Sequence, residues 1–309
     1  MLPAVIFEGR LINFEKIKMK LKDNNNIFCS VSAGYSSVLM ALMLPKWYPN
    51  HNIIYAMANT SKEREESLEF MNECDKHFKL NMVWIEAIIN QEKRKGTDFK
   101  VTTFDKLKRN GELFEDGIKK YGIPCKINKW CNRELKLVPL KKYVDSIFGK
   151  NNYSIAVGLR ADEMDRVMDS FYDNNVFYPL LDNKISTRDR NKFWKDKPIQ
   201  IKIPAYKGNC DLCFEKSNRK LMTIIQEDNH LIDWWDEMIN KYSKISLENK
   251  PSYNFYAENE GMHFFRENRS IKDLVELAKK PFHKATDEYV YENDLFDLEG
   301  DCGSGCVVF

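Results

Sequence analysis

Short apolar runs alternate with amphipathic stretches through the first half of the chain. Residues 27–33 (IFCSVSA) are an apolar run between Asn and Gly, the pattern of a buried strand. SVLMALMLPKW after it has helical length and apolar character, with an end near Pro45. IIYAMAN (53–59) predicts a second strand, and 62–78 a charged amphipathic helix with Leu68, Met71 and Cys74 on one face. NMVWIEA (81–87) predicts a third strand, and ELKLVPLKKYVDSIF (134–148) with SIAVGL (154–159) repeats the helix–strand alternation. Alternation of this kind argues for βαβ units: an α/β fold with a doubly wound, mostly parallel sheet covered on both faces. The pattern weakens near 245–255. This divides the chain into a main domain, residues 1–245, and a smaller helical C-terminal appendage, 246–309, with a helix around IKDLVELAKK and a tail ending in GDCGSGCVVF.

Composition narrows the class. Of 309 residues, 43% are hydrophobic and 30% charged, the balance of a soluble globular protein with a substantial core. The net charge of +2, from 48 basic and 46 acidic residues, exerts no global pull towards nucleic acid or membrane. A local basic patch is compatible with this balance, but composition does not locate it. The N-terminus lacks the pattern of a secretory signal and no run of about 18 apolar residues occurs, so a cytoplasmic protein with no membrane partner is expected. In a reducing compartment, clustered cysteines point to metal binding or catalysis rather than disulfides. Of the eight cysteines, Cys29 in an apolar run and Cys74 on a helix read as packed thiols.

The first strand runs into Ser32-Ala33-Gly34-Tyr35-Ser36-Ser37 and then into a helix. A small-residue loop between strand and helix presents outward N–H groups and a helix dipole to an anion. Gly34 allows close backbone approach, and Ser32, Ser36 and Ser37 add hydroxyl donors. The same residues also suit a plain turn with capping serines. The loop resembles the Ser-Gly-Gly-x-(Asp/Thr)-Ser pyrophosphate loop of PP-loop enzymes, the adenine nucleotide alpha hydrolase superfamily. That superfamily includes phosphoadenosine phosphosulfate (PAPS) reductases, ATP sulfurylase small subunits and thiolating enzymes of tRNA and DNA. Ala33 replaces a Gly of the common form, and Tyr35 stands where phage-type relatives carry Arg.

Four further segments resemble the PAPS-reductase-like branch, of phage and bacterial type, in order. Asn59-Thr60-Ser61-Lys62-Glu63-Arg64-Glu65-Glu66-Ser67 is similar to its Asn-Thr-Gly-x-Glu-x-x-Glu-Thr segment, and also reads as a helix start with a Thr60–Glu63 capping box. Trp130-Cys131-Asn132-Arg133-Glu134-Leu135-Lys136 with Pro139 is similar to Cys-Thr-x-x-Leu-Lys-x-x-Pro. Residues Gly158 to Arg166 match Gly-x-Arg-x-(Asp)-Glu-x-x-Arg after a strand, where guanidinium forks suit phosphate or sulfate. Gly208-Asn209-Cys210-Asp211-Leu212-Cys213-Phe214-Glu215-Lys216 resembles Gly-Asn-Cys-x-x-Cys-Phe-x-Lys. The stretches at Asn191–Lys195 and Trp234-Trp235 also fit, so the resemblance spans about residues 27–240. It implies that Ser32, Gly34, Ser36, Ser37, Asn59, Thr60, Gly158 and Arg160 hold ATP, with Mg2+, or PAPS, and that Arg160 and Arg166 stabilise developing charge.

Cys210-x-x-Cys213 has the spacing of a two-ligand chelate for zinc or iron–sulfur, and Cys131 lies 79 positions earlier. Iron–sulfur reductases of the family pair two early cysteines with such a later pair; here Trp130 takes the first position. The resemblance therefore implies a 4Fe-4S cluster on Cys131, Cys210 and Cys213, with Cys125, or Cys302 or Cys306 of the tail, as the fourth ligand. Zinc (Zn2+) and plain thiols are the alternatives. Cys302-Gly303 echoes the family's catalytic Cys-Gly-(Ile/Leu)-His, without the His. Three functions follow: an ATP pyrophosphatase or adenylylating sulfurtransferase acting on an acceptor that includes nucleic acid among its candidates, with the cysteines, Cys131 among them, carrying sulfur or a cluster; a PAPS or adenylylsulfate reductase using Cys302 as its nucleophile; or a non-catalytic nucleotide-binding regulator, which Ala33 and Tyr35 favour.

Overall fold

The computed structural model describes residues 5–7, 10–12, 25–167 and 175–287, with side chains from residue 25 onward except those of Asp165 and Arg166. Strands β1 (Val5–Phe7) and β2 (Arg10–Ile12) pair antiparallel in a small ribbon. The main sheet has six strands in the order β6-β5-β4-β3-β7-β8. Strands β3 (Asn26–Ser30), β4 (Asn52–Asn59), β5 (Val83–Ile88), β7 (Ser154–Ala156) and β8 (Val176–Phe177) are parallel. Only β6 (Asp98–Thr102) runs antiparallel, at the edge beside β5. Among the described residues, no helix is long and apolar enough to cross a membrane.

The period-2 pleat of β3 feeds both faces of the sheet. Ile27 and Cys29 enter one core with Val38 and Met40 of α1 (Tyr35–Trp47) and Leu68 and Met71 of α2 (Glu65–Phe78). Phe28 enters the other, with Leu140 and Val144 of α4 (Val138–Phe148) and Ile155 of β7. Helices thus cover both faces, which is why the strands read as continuous apolar runs rather than alternating ones. Burial pushes the Cys29 thiol far above its ordinary range and that of Cys74 up to about 12, as expected of packed thiols.

A third core lies beyond the sheet. Helix α3 (Glu112–Tyr121) contributes Leu113, Phe114 and Ile118. A second helical stretch begins at Trp130–Asn132 and passes through a π-helical turn, Arg133–Leu137, into α4. After α5 (Pro179–Asp182) and α6 (Thr187–Lys195), α7 (Asn218–Glu227) and α8 (Ile232–Tyr242) add Leu221, Ile224 and Trp235 to that third core. Helices α9 (Pro251–Asn259) and α10 (Ile271–Ala278) join it through Tyr253, Ala257, Ile271 and Leu274. The Tyr253 hydroxyl accepts the Ile123 amide at 2.7 Å.

The winding order fixes where a ligand meets the sheet. From β3 the chain moves outward through β4 and β5, then returns to lay β7 on the other flank of β3. The carboxyl ends of β3 and β7 therefore meet at the topological switch point, where the binding crevice of such sheets lies.

Candidate functional site

The loop after β3 is a closed hydroxyl cluster. Ser37 Oγ, a single donor, lies within reach of both Gly34 O at 2.9 Å and Ser32 O, and Ser32 Oγ lies 3.2 Å from Ser37 Oγ. The Gly34 amide is turned onto Ser32 O at 2.7 Å. Gly34 precedes α1 in extended conformation with no side-chain cap, and the first turn holds no acidic residue. A Cβ at Gly34 would meet only Ser32 Oγ, at 3.9 Å, so neither packing nor backbone angle demands glycine here. Tyr35 is occupied elsewhere. Its ring packs on Phe70 and Trp194 at 5.4 and 4.9 Å, its hydroxyl bonds Gln200 Oε1 at 2.7 Å, and it accepts the Ile201 amide at 3.0 Å.

The loop after β7 closes on the first one. A Cβ at Gly158 would stand 3.2 Å from Ser37 Cα and 3.4 Å from Ser37 N, so this approach does demand glycine. Two residues on, Arg160 Nη1 donates to Ser36 Oγ at 2.8 Å. Its guanidinium is steadied by Thr187 Oγ1 at 3.1 Å, Glu163 at 3.2 Å and Asp162 at 3.4 Å. Burial pushes the Asp162 carboxyl up, but the Thr187 hydrogen bond and the Arg160 charge outweigh it and hold the group below its ordinary range. Arg166 ends the short 3-10 helix Ala161–Arg166, and its side chain lies outside the described residues. Thr187, at the start of α6, is not visible as a site residue in sequence; only the fold brings it to Arg160.

The segment after β4 leads from the sheet to the cysteines. Asn59 is fully buried, and its side chain ties the loop to its neighbours: Nδ2 donates to Glu86 Oε1 at 2.9 Å and Lys108 O at 2.8 Å, and Oδ1 accepts the Ser61 amide at 2.9 Å. The expected capping box does not form. Thr60 Oγ1 does contact Glu63 Oε1 at 3.2 Å, but Ser61 takes a positive φ of 63° and the helix starts only at Glu65. Thr60 Oγ1 lies 3.4 Å from Cys210 Sγ, Lys136 Nζ lies 2.9 Å from Glu63 Oε1, and Glu63 forms a backbone bridge with Cys210.

Cys131, Cys210 and Cys213 line one cavity, together with Thr60, Lys136 and Trp235. The 79-position separation of Cys131 and Cys210 is thus bridged by the fold. Among the described residues, no group of three or more His, Cys, Asp or Glu is arranged to hold a metal ion, so the three thiols share a wall without being drawn into one ligand set. Cys125 is not on that wall; burial pushes its thiol up to about 11. Trp130, where the family pattern has a cysteine, is a core residue donating Nε1 to Gly122 O at 2.9 Å. Cys302 and Cys306 lie outside the described residues. The six described cysteines are thiols, not disulfides.

No family model matches the chain. It is similar to the uncharacterized nin region protein ORF290 of Escherichia phage lambda, with 25% identity over 285 residues, 91% of this chain and 94% of that protein. That near full-length likeness agrees with the phage-type motifs. Two uncharacterized proteins of Methanocaldococcus jannaschii are 25% identical over 150 and 166 residues, 48% and 52% of this chain; the matches span 25% and 34% of those proteins. Among solved structures, the chain is similar to the U34-tRNA thiolase NcsA from Methanococcus maripaludis with its 4Fe-4S cluster, at 13% identity and a TM-score of 0.34, over 93% of this chain and 81% of that one.

Proposed function

We propose that the protein is an adenine-nucleotide-dependent enzyme of the PP-loop type, an ATP pyrophosphatase that adenylylates an acceptor for sulfur transfer. The observation that carries this reading is the meeting of two loops at the switch point, with Arg160 Nη1 2.8 Å from Ser36 Oγ. One loop offers the N-terminus of α1 to the departing pyrophosphate, and the other brings a guanidinium fork. An acceptor oxygen attacks the α-phosphorus, forming an acceptor–AMP bond as the α–β bridging bond breaks and pyrophosphate leaves. Preorganised donors are the residues' contribution to that step. The chain has no Gly-x-x-x-x-Gly-Lys-(Ser/Thr) loop, so the lysine that such loops place on the β- and γ-phosphates is missing.

Tyr35 supports the catalytic reading over a purely regulatory one. Its ring and hydroxyl are engaged by Phe70, Trp194, Gln200 and Ile201, which accounts for the departure from the family loop without obstructing a phosphate. Cys131, Cys210 and Cys213 would hold an iron–sulfur cluster: three soft donors facing one cavity suit that group by donor chemistry. Such a cluster supplies sulfur-carrying or electron-transfer capacity. Chromatography after incubation with ATP, magnesium and a cell extract tests the reaction. AMP and pyrophosphate are expected, and ADP as sole product refutes it. Anaerobic purification followed by iron and acid-labile sulfide analysis tests the cluster. Cys210→Ser should lose both elements, whereas Cys125→Ser should keep them.

A further inference from the structure

Composition leaves the place of any basic patch open, and the fold collects one. Residues 184–202 carry seven Lys and Arg against two Asp, in a chain whose net charge is +2. Helix α6 organises them. Arg188, Lys192 and Lys195 fall at i, i+4 and i+7, one face of an α-helix, and all three are exposed. The helix is anchored by Trp194, about a third of a turn away. That residue is 2% exposed, packs on Phe70 and donates Nε1 to Tyr35 O at 3.0 Å. Asp189, the acid within the helix, caps Ser186 N and Oγ at 3.0 and 2.5 Å; its carboxylate also feels the Arg188 and Lys192 charges, and three cations against one acid leave the face net positive. Just past the helix, Lys197 Nζ sits 4.7 Å over the Phe193 ring.

This face starts at the crevice. Thr187, the first residue of α6, accepts from Arg160 Nε at 3.1 Å, and Arg188 is the next residue. Nine helical residues run for about 13 Å, room for three or four phosphates at the ~3.4 Å per-strand spacing of B-DNA and fewer on an extended strand. Lys and Arg in this array bind backbone phosphates rather than read base edges. A base that must reach atoms inside a crevice has to leave its stack, which favours an unpaired strand.

We propose that the Arg188–Lys192–Lys195 face docks a single-stranded nucleic-acid segment and leads one of its bases to the crevice. The acceptor role rests on the function proposed above; the docking itself does not. The test is fluorescence anisotropy of full-length protein with labelled single-stranded RNA, single-stranded DNA and the corresponding duplex over a salt series, with a fluorescent ATP analogue measured in parallel. Single strands are expected to bind, and the better of RNA and DNA identifies the acceptor. Arg188→Gln, Lys192→Gln and Lys195→Gln combined should weaken binding about tenfold at low salt and flatten the slope of log affinity against log salt by about 2, at roughly 0.7 per phosphate lost. ATP binding should be unchanged. The control Lys150→Gln, Lys244→Gln and Lys280→Gln, at exposed lysines elsewhere, should bind like wild type. Unaltered affinity and slope in the first variant overturn the proposal, as do duplex binding as tight as single-strand binding and attachment to phosphatidylserine vesicles without oligonucleotide binding. Oligonucleotide binding without ATP binding leaves the docking in place and removes the nucleotide reading.

Discussion

Gly34→Asp separates what the β3–α1 loop does for the fold from what it does for a ligand. The backbone there, φ −123° and ψ 152°, is open to any residue, and a Cβ would meet its nearest neighbour at 3.9 Å. Aspartate is favoured at a helix N-cap, by a few tenths of a kcal/mol over glycine, and α1 has neither a side-chain cap nor a first-turn acid to compete. The variant should therefore keep or slightly raise its melting temperature. Its effect on an anion is the reverse. A carboxylate about 4 Å from a phosphate charge costs about 4 kcal/mol per unit charge at an effective dielectric near 20. That is close to a thousandfold in affinity. Thermal melts and titration calorimetry with ATP on the same preparation read both quantities. A variant that binds ATP within threefold of wild type refutes the placement of the site. One whose melting temperature collapses refutes the claim that glycine is dispensable to the fold.

Gly158→Ala should act on both quantities. Its methyl must push apart loops whose approach leaves a Cβ only 3.2 Å from backbone, costing about 1–3 kcal/mol in denaturant melts and loosening the Arg160–Ser36 contact enough to weaken ATP binding. Glu215 gives a pH signature. Burial pushes its carboxyl up, and bonds from Lys126 and Lys129, at 2.7 and 2.9 Å, more than reverse this, so its folded value lies below its unfolded one. The pairing stabilises above the unfolded value and is lost as pH falls through the folded one. Glu215→Gln should melt below wild type at pH 7, and the two curves should converge in acid. A constant offset from pH 7 to 3 would refute this.

The parts of the fold that are legible in sequence are those buried on both faces. Strands β3, β4 and β7 read as unbroken apolar runs because helices cover both sides of them. Strand β6 (DFKVT) escapes: its alternation of polar and apolar residues spans only five positions, and as an edge strand it leaves Val101 exposed along with Asp98 and Lys100. Helix α1 continues through Pro45 to Trp47, because a proline in the last turn removes a single donor where few bonds remain. The pattern past residue 245 looks weak because Tyr253, Met262, Phe264 and Phe265 are irregularly spaced. They become a core only against α3, α7 and α8. In the site, the loop residues and the three cavity cysteines are readable as motifs. The contacts that Thr187, Glu63 and Lys136 make are not, because a contact between distant segments leaves no periodic trace.

One such contact decides whether the cysteine cavity keeps its shape. The 59–67 and 208–217 segments are tied by the Asp211 amide on Lys62 O at 3.0 Å and by Lys62 Nζ to Asp211 Oδ2 at 2.8 Å, both side chains buried. Asp211 Oδ1 also accepts Trp235 Nε1 at 3.0 Å, and Lys62 Nζ lies 4.4 Å over the Trp234 ring. Asp211→Ala strips the carboxylate from a buried ammonium and an indole at once. Breaking a buried pair from one side costs about 3–5 kcal/mol, since the remaining charge stays desolvated. The double variant Lys62→Met with Asp211→Leu removes both charges and should recover much of that loss, which separates charge burial from shape. Because Thr60 and Cys210 belong to the two tied segments, Asp211→Ala should also speed the reaction of Cys210 with a thiol reagent, more than the double variant does. Urea denaturation and mass-spectrometric mapping of labelled cysteines read the two effects. An Asp211→Ala variant within about 1 kcal/mol of wild type, well short of the cost of a broken buried pair, or with unchanged Cys210 labelling, would mean that the ion pair decorates the cavity wall without holding it.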